Sequence, residues 1–358
     1  MEKDKKTFVI LIPGFPANEQ DGTCLPFPQL FVKTLQKQHP ALKVIVFAFQ
    51  YPFSSVPYHW HGVTVYPFNG RERGKLSRLF VWWRVNRKFR KMARAHDVAG
   101  LLNFWLGECS LIGTYLARKY GLPAFTWLMG QDARQGNRYV NRVKPTAGEL
   151  IALSDFLADE LHRNYRINPA HVIVPGVDAA EFSMRKQART IDIIGVGSLI
   201  TLKRYDVFIE IIAGVAKTFP QVKAVICGKG SERDRLIDQI WNAGLQANID
   251  LLDETTHAEV LCLMQRSKIL LHPSSYEGFP TVYAEALYAG AHVVGFFSPM
   301  RHPFAHQHVV VSKEDMLNVV VNILSRENTD HASVLTCSIE ETCSRVLALY
   351  DSAGSFSK

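Results

Sequence analysis

Two glutamates, Glu277 and Glu285, stand eight positions apart, the first of them six positions after an apolar run that ends at Leu271. Between them run Gly278, Phe279, Pro280, Thr281 and Val282. That order predicts a strand, a loop and a helix opening near residues 280–281. Proline suits a first helical position, and glycine lets a ligand come close to the backbone. Glu277 then precedes the helix and Glu285 lies about one turn inside it, so the two carboxylates address different parts of one ligand. A carboxylate accepts from two neighbouring hydroxyls at once, as a ribose or a hexose offers. The amides of residues 279–282 would meet a phosphate, since a helix N-terminus favours anions. Lys203 adds a cation at the start of a second helical pattern, where the helix dipole disfavours one unless a ligand or partner calls for it.

Rival chemistries lack their patterns. Gly195-x-Gly197-x-x-Ile200 misses the third glycine, and no acidic residue ends the next strand, which argues against a nicotinamide site. His302, His306 and His308 have neither a helix to space them nor a carboxylate, so they read as a polar loop, and no metal site is expected. There is no Gly-x-Ser-x-Gly elbow and no Gly-Lys-Ser/Thr loop. The six cysteines show no Cys-x-x-Cys spacing, which suits reduced core thiols of a cytosolic protein.

The elements that must position these residues are short apolar strands alternating with amphipathic helices. Strands are expected over 7–12, 43–48, 63–66, 98–102, 124–127, 150–153 and 171–174 in the first half. In the second they are expected over 191–195, 223–227, 248–251, 268–271 and 292–296. Strands apolar on both faces, with helices between, predict parallel sheets covered on both sides. For 358 residues, about two domains follow. The expectation is an α/β fold of two Rossmann-like domains facing each other across a cleft, with ligands at the carboxyl ends of the strands. The polar stretch 183–190 sets the boundary: 1–185, then 186–335, then a terminal segment 336–358 whose helix packs back on the first domain.

Charge is unevenly placed. Residues 1–185 hold 25 Lys and Arg against 14 Asp and Glu, net +11, which leaves 16 against 19, net −3, for 186–358. The first half therefore expects an anionic partner. Residues 71–94 hold ten cations and one acid, with Leu76, Leu79, Phe80 and Trp83, then Phe89, Met92 and Ala93, near helical spacing. This reads either as a basic amphipathic helix for an anionic membrane surface or as a helix packed on its sheet by that same apolar face. No nucleic-acid-binding pattern accompanies it. No apolar run reaches the roughly 18 residues of a membrane span, and the run 8–12 is too short for a signal sequence.

The 277–285 segment, flanked by Pro273-Ser274-Ser275 and by Ala289-Gly290-Ala291-His292-Val293-Val294, closely resembles the Glu-x7-Glu signature of family 4 retaining glycosyltransferases of the GT-B fold. The stretch 196–206 resembles that family's Gly-Arg-Leu…Lys-Gly-x-Asp, with Ser198 at the arginine position and Lys203 at the lysine. Val225-Ile226-Cys227-Gly228-Lys229-Gly230 resembles its strand into Gly-x-Gly, and Pro175-Gly176-Val177-Asp178 its domain-joining segment. Pro13-Gly14-Phe15-Pro16 follows the first strand where the family has a glycine-bearing loop under the donor phosphates. Residues 127–132 match the place of its His-Gly-x-Asp, with Met129 at the histidine and Asp132 as the polar residue expected near the reacting sugars.

The resemblance implies a nucleoside-diphosphate-sugar donor and no cofactor or metal. Glu285 would hold the ribose, and Glu277 the donor sugar. Lys203, with Arg204 as substitute for the missing arginine, would neutralise the diphosphate beside Gly197, Ser198, Gly228 and the 278–282 loop. A hexose-type sugar would pass to a glycan or lipid-linked glycan acceptor in cell-surface polysaccharide synthesis, at the cytoplasmic face of a membrane. Two other readings stay open: a GT-B relative with epimerase or phosphorylase chemistry, and a non-catalytic binder of sugar nucleotides or lipid headgroups.

Overall fold

The computed structural model describes residues 5–22, 24–183, 187–253 and 255–354. The chain forms two compact units. One runs to Pro175 and resumes at Ile339; the other is Gly176–Ser338. Each is Rossmann-like.

The first unit contains β1 (Thr7–Gly14), α1 (Pro26–Gln38), β2 (Lys43–Tyr51), β3 (Tyr58–Trp60), β4 (Val63–Pro67), α2 (Lys75–Ala95) and β5 (Val98–Phe104). After these come α3 (Glu108–Tyr120), β6 (Ala124–Trp127), α4 (Arg138–Val143), β7 (Leu150–Ala152), α5 (Asp155–Tyr165) and β8 (His171–Val172). The sheet order is β3-β4-β2-β1-β5-β6-β7-β8. β3 pairs antiparallel with β4, whereas the other pairings are parallel. Residues 8–12 of β1 are wholly buried, as a central parallel strand requires. Three-residue β3 was not expected, because a run that short carries no periodicity.

The second unit contains β9 (Ile191–Val196), α6 (Tyr205–Ala216), β10 (Ala224–Cys227), α7 (Arg233–Asn242), β11 (Ile249–Leu252) and α8 (His257–Gln265). It continues with β12 (Ser267–His272), α9 (Thr281–Tyr288), β13 (His292–Gly295), β14 (Gln307–Val309) and α10 (Lys313–Leu324). All its strand pairings are parallel, in the order β11-β10-β9-β12-β13-β14. The chain steps outward from β9 to β11, then returns to place β12 on the other side of β9. The switch point of this sheet is therefore the β9–β12 crevice, where open α/β sheets bind ligands.

The division falls ten residues before the expected 185/186 boundary. Val177 bridges to Ser338 and its N–H bonds Cys337 O at 3.0 Å, so 176–183 belongs with the second unit. Part of the expected boundary segment, 184–186, lies outside the described residues. α11 (Ile339–Ser352) rejoins the first unit. Its Tyr350 is fully buried, edge-on to Phe8 and Phe125 at 4.8 and 4.9 Å, and donates to Leu101 O at 2.7 Å. Gly100 makes the room, since a Cβ there would meet the Tyr350 ring at 2.5 Å.

Candidate active site at the switch point of the second sheet

Val196 ends β9 and His272 ends β12, neighbouring strands that run the same way. The loop after β9 carries Lys203 and the loop after β12 carries Glu277, so parallel pairing alone brings residues 74 apart to one crevice. There Lys203 Nζ and Glu277 Oε1 form a direct ion pair. The same Oε1 meets His272 Nε2 at 3.0 Å. His272 is buried, and burial first, then the Lys203 ammonium, pushes its pKa down. The ring is thus neutral, and its Nε2–H donates to Glu277. Burial pushes the Glu277 carboxyl up, but the His272 hydrogen bond and the Lys203 charge outweigh it and hold the pKa at about 2. Glu277 is a fixed anion with a tethered orientation.

The His272 ring packs edge-on against Tyr283 at 5.2 Å. Tyr283 is fully buried, and its hydroxyl has no hydrogen-bond partner among the described residues. It crowds Gly295, where a Cβ would stand 2.3 Å from the hydroxyl oxygen. Tyr283 therefore braces the back of His272.

α9 opens at Pro280 without a side-chain cap and with no acid in its first turn. It lacks the side-chain acceptor that caps α4, α5, α8 and α10. Glu285 points from the second turn towards His257 at the start of α8, with His257 Nε2 and Glu285 Oε1 3.0 Å apart. The other ring nitrogen, Nδ1, lies 3.3 Å from Glu181 Oε2. Neither His272, His257 nor Glu181 was singled out from sequence. For His272 a usable sign existed, a polar ring ending an apolar parallel strand. For the other two there was none, because their proximity to Glu285 arises only from packing.

Gly228, expected beside the nucleotide, follows β10 with φ +156°, and a Cβ there would lie 2.0 Å from Gly197 O. Glycine is required because the loops after β9 and β10 touch backbone to backbone. Ser198 is exposed on that loop. Arg204, offered from sequence as a substitute for the missing arginine, donates through Nε to Asp206 at 3.2 and 3.3 Å, and its backbone is left-handed at φ +53°. The guanidinium is turned onto α6, so Lys203 is the cation at Glu277.

Residues 178–305 match the family described as glycosyl transferases group 1. The matched segment holds Lys203, Glu277 and Glu285 together with His257, His272 and Glu181. Among related proteins, glycogen synthase of Mycobacterium tuberculosis is 26% identical over 205 residues, covering 56% of this chain and 49% of that protein. The chain thus spans about half the length of this relative. Among solved structures, sucrose-phosphate synthase of Thermosynechococcus elongatus superposes with a TM-score of 0.72 at 14% identity, over 98% of this chain and 96% of that one. Anabaena HepE in complex with UDP and glucose gives 0.67 at 15%, covering 98% of each chain. At these identities the likeness is one of fold: two parallel-sheet Rossmann-like domains, as in GT-B glycosyltransferases.

The remaining expected residues belong to the first unit. Gly14 ends β1. Asp132 is buried, and one carboxylate oxygen accepts the N–H groups of Leu106 and Met129, both at 2.8 Å. Burial raises its pKa to about 7 against the pull of those two donors. This carboxylate ties the loop after β5 to the loop after β6. Met129 is buried beside it.

Along α2, Val81, Val85, Phe89 and Met92 bury against the sheet. On the opposite face Leu76, Leu79, Phe80 and Trp83 are 84, 55, 58 and 54% exposed. The two alternatives posed by sequence assumed one apolar face; α2 has two. At a 3.6-residue period Arg87, Arg90 and Arg94 continue the exposed stripe. Phe80 and Trp83 stack at 5.8 Å, with the Arg87 guanidinium over the Trp83 ring at 5.5 Å. Trp82 is not part of this face, since its Nε1–H donates to Glu108 at 3.0 Å. Among the described residues, no helix is long and apolar enough to cross a membrane.

Proposed function

We propose that this protein is a retaining glycosyltransferase that moves a hexose-type sugar from a nucleoside-diphosphate sugar to a glycan acceptor. The observation that carries the reading is the Lys203–Glu277 pair at the β9–β12 switch point, with Glu285 in the second turn of the helix that follows, inside the segment matched by the group 1 family. Glu285 accepts from the ribose hydroxyls. Lys203 and the uncapped amides at the start of α9 receive the diphosphate, whose negative charge grows as the glycosidic bond breaks. Glu277, held by His272, accepts from donor-sugar hydroxyls and orients the anomeric carbon. It is not the nucleophile: a carboxylate already bonded to a lysine and a histidine is a positioned acceptor. A nucleoside diphosphate needs little protonation to leave, so the two-carboxylate scheme of glycosidases does not apply.

The acceptor we propose is lipid-linked. The exposed stripe of α2, apolar at one end and cationic at the other, matches an anionic lipid surface. Residues of this stripe would dock the protein peripherally.

Thermal-shift titration with UDP-, GDP- and ADP-sugars tests the donor site, since a ligand at about 100 times its Kd adds about 2.7 kcal/mol. Product analysis then tests the chemistry. A new glycosidic bond with the donor's anomeric configuration supports the proposal. An epimerised sugar nucleotide, a sugar phosphate, or binding without turnover across an acceptor panel overturns it.

A further inference from the structure

We infer that His257 and Glu181 are positioning residues for the ribose-binding carboxylate, forming a Glu181–His257–Glu285 chain that sets which oxygen of Glu285 is offered to the nucleotide. The inference rests on the assignment of Glu285 to the ribose. Its geometry is independent of that assignment. His257 bridges two carboxylates from opposite sides, Nε2 to Glu285 Oε1 at 3.0 Å and Nδ1 to Glu181 Oε2 at 3.3 Å. A ring that bonds carboxylates through both nitrogens donates through both, which is the imidazolium form.

Each end of the chain is held. A capping box fixes the start of α8, with Thr256 N–H to Glu259 at 2.9 Å, and makes His257 the first helical residue. That is a position where the helix dipole opposes a positive charge, so the two carboxylates must supply what holds it there. On the other side, Phe182 packs edge-on against Tyr288 of α9 at 4.8 Å. This contact docks the 179–182 turn onto the same helix that carries Glu285. With Oε1 occupied by His257, the rotation of the Glu285 carboxylate is set, and Oε2 is left for a ribose hydroxyl. The chain thereby joins recognition of the sugar ring to a residue 104 positions earlier, in the strand-to-sheet connection at residues 176–183.

Ribose discrimination provides the test. Isothermal calorimetry would compare UDP, GDP and ADP, then the 2′-deoxy form of whichever diphosphate binds. In the wild type the 2′-deoxy form should bind about tenfold more weakly, the worth of one hydrogen bond to a charged acceptor. In His257→Ala, affinity for the ribose form should fall towards that of the deoxy form while the deoxy affinity stays within about twofold, so that discrimination collapses. His257→Gln should keep an intermediate ratio. Glu181→Gln, a change at the partly exposed outer end, should narrow the ratio without loss of fold and carries the test if His257→Ala folds poorly. Ribose and deoxy affinities falling together, or neither changing, would overturn the inference while leaving the nucleotide site standing. Failure of all three diphosphates to bind the wild type would overturn the site assignment, and the inference with it.

Discussion

Lys203 and Glu277, 74 residues apart in the chain, form an ion pair across the carboxyl ends of adjacent strands β9 and β12. Their side chains are only 18 and 13% exposed. Lys203→Met should therefore leave a buried carboxylate held by His272 alone. Destabilisation of about 3 kcal/mol is expected, the usual cost of removing one partner from a buried pair. The Glu277 pKa should rise as well, and denaturant melts at pH 7 and at pH 4 should show the deficit shrinking in acid. Equal deficits at both pH values would mean that the lysine matters only through its aliphatic stem.

The two glutamates should separate kinetically. Glu285→Ala should weaken binding of the bare nucleoside diphosphate by about 1.5–3 kcal/mol, because ribose hydroxyls lose a charged acceptor. Glu277→Gln should leave that affinity nearly intact and lower turnover, since its partner is the transferred sugar. Calorimetry and initial-rate measurements on both variants check the split; a kinetic defect confined to KM in Glu277→Gln would reverse the assignment.

Stability should fall on both sides of neutrality, for different histidines. His306 and His308 stack on His292 at 4.6 and 5.3 Å, and His331 meets it edge-on at 5.5 Å. His292 Nε2 bonds Asp330 O at 2.8 Å, so its Nδ1 accepts from His308 Nε2 at 3.1 Å. Burial first, then neighbouring charges, lowers His308 and His331 to about 4 from 6.5. Between pH 6.5 and 4 the unfolded chain binds protons that the native state refuses, so stability is lost as pH falls through that window. His257 is the opposite case. Burial opposes its charge, but the bonds to Glu181 and Glu285 prevail and raise it from 6.5 to about 10. Stability that it contributes is present below 6.5 and lost as pH rises towards 10. Urea titrations across pH should show both limbs, with His257→Gln flattening the alkaline one and His308→Gln the acid one.

The C-terminal helix should be indispensable to the first unit. Tyr350→Ala removes a fully buried ring and its bond to Leu101, and about 3–5 kcal/mol should go with it. Gly100→Ala should cost heavily for the complementary reason, its methyl group meeting that ring. Introduced together the two changes should be less damaging than their sum, since each relieves the space the other disturbs. Chemical denaturation of the three variants provides the cycle.

Vesicle co-sedimentation should show binding that needs anionic lipid and weakens with salt. Loss is expected when Trp83 and Phe80 become Ser, and again when Arg87, Arg90 and Arg94 become Gln, at about 1 kcal/mol per surface-near cation. Trp82→Phe should leave binding unchanged because that indole bonds Glu108. Indifference to lipid charge and to these substitutions would remove membrane docking from the proposal.

From sequence alone came the two-sheet α/β architecture, the main strand positions to within a few residues, and the segment containing Lys203, Glu277 and Glu285. Those features are local: strand burial shows as unbroken apolar runs, and a strand–loop–helix segment is written in consecutive residues. Only the fold decided the partners. His272 reaches Glu277 because it ends the strand whose loop carries Glu277, and Lys203 reaches it because β9 and β12 are neighbours at the switch point. His257 and Glu181 meet Glu285 through packing of α8 and the 179–182 turn on α9, a juxtaposition that no spacing encodes. The bonds of the buried Asp132 carboxylate to the Leu106 and Met129 amides likewise come only from the fold, which brings the loops after β5 and β6 together. α2 supplied the reverse lesson. Its apolar residues are plain in the sequence, but which face meets the sheet and which meets solvent depends on Val81, Val85, Phe89 and Met92 facing one way and Leu76, Leu79, Phe80 and Trp83 the other. That outcome follows from a 3.6-residue period applied against a sheet that only the tertiary structure supplies.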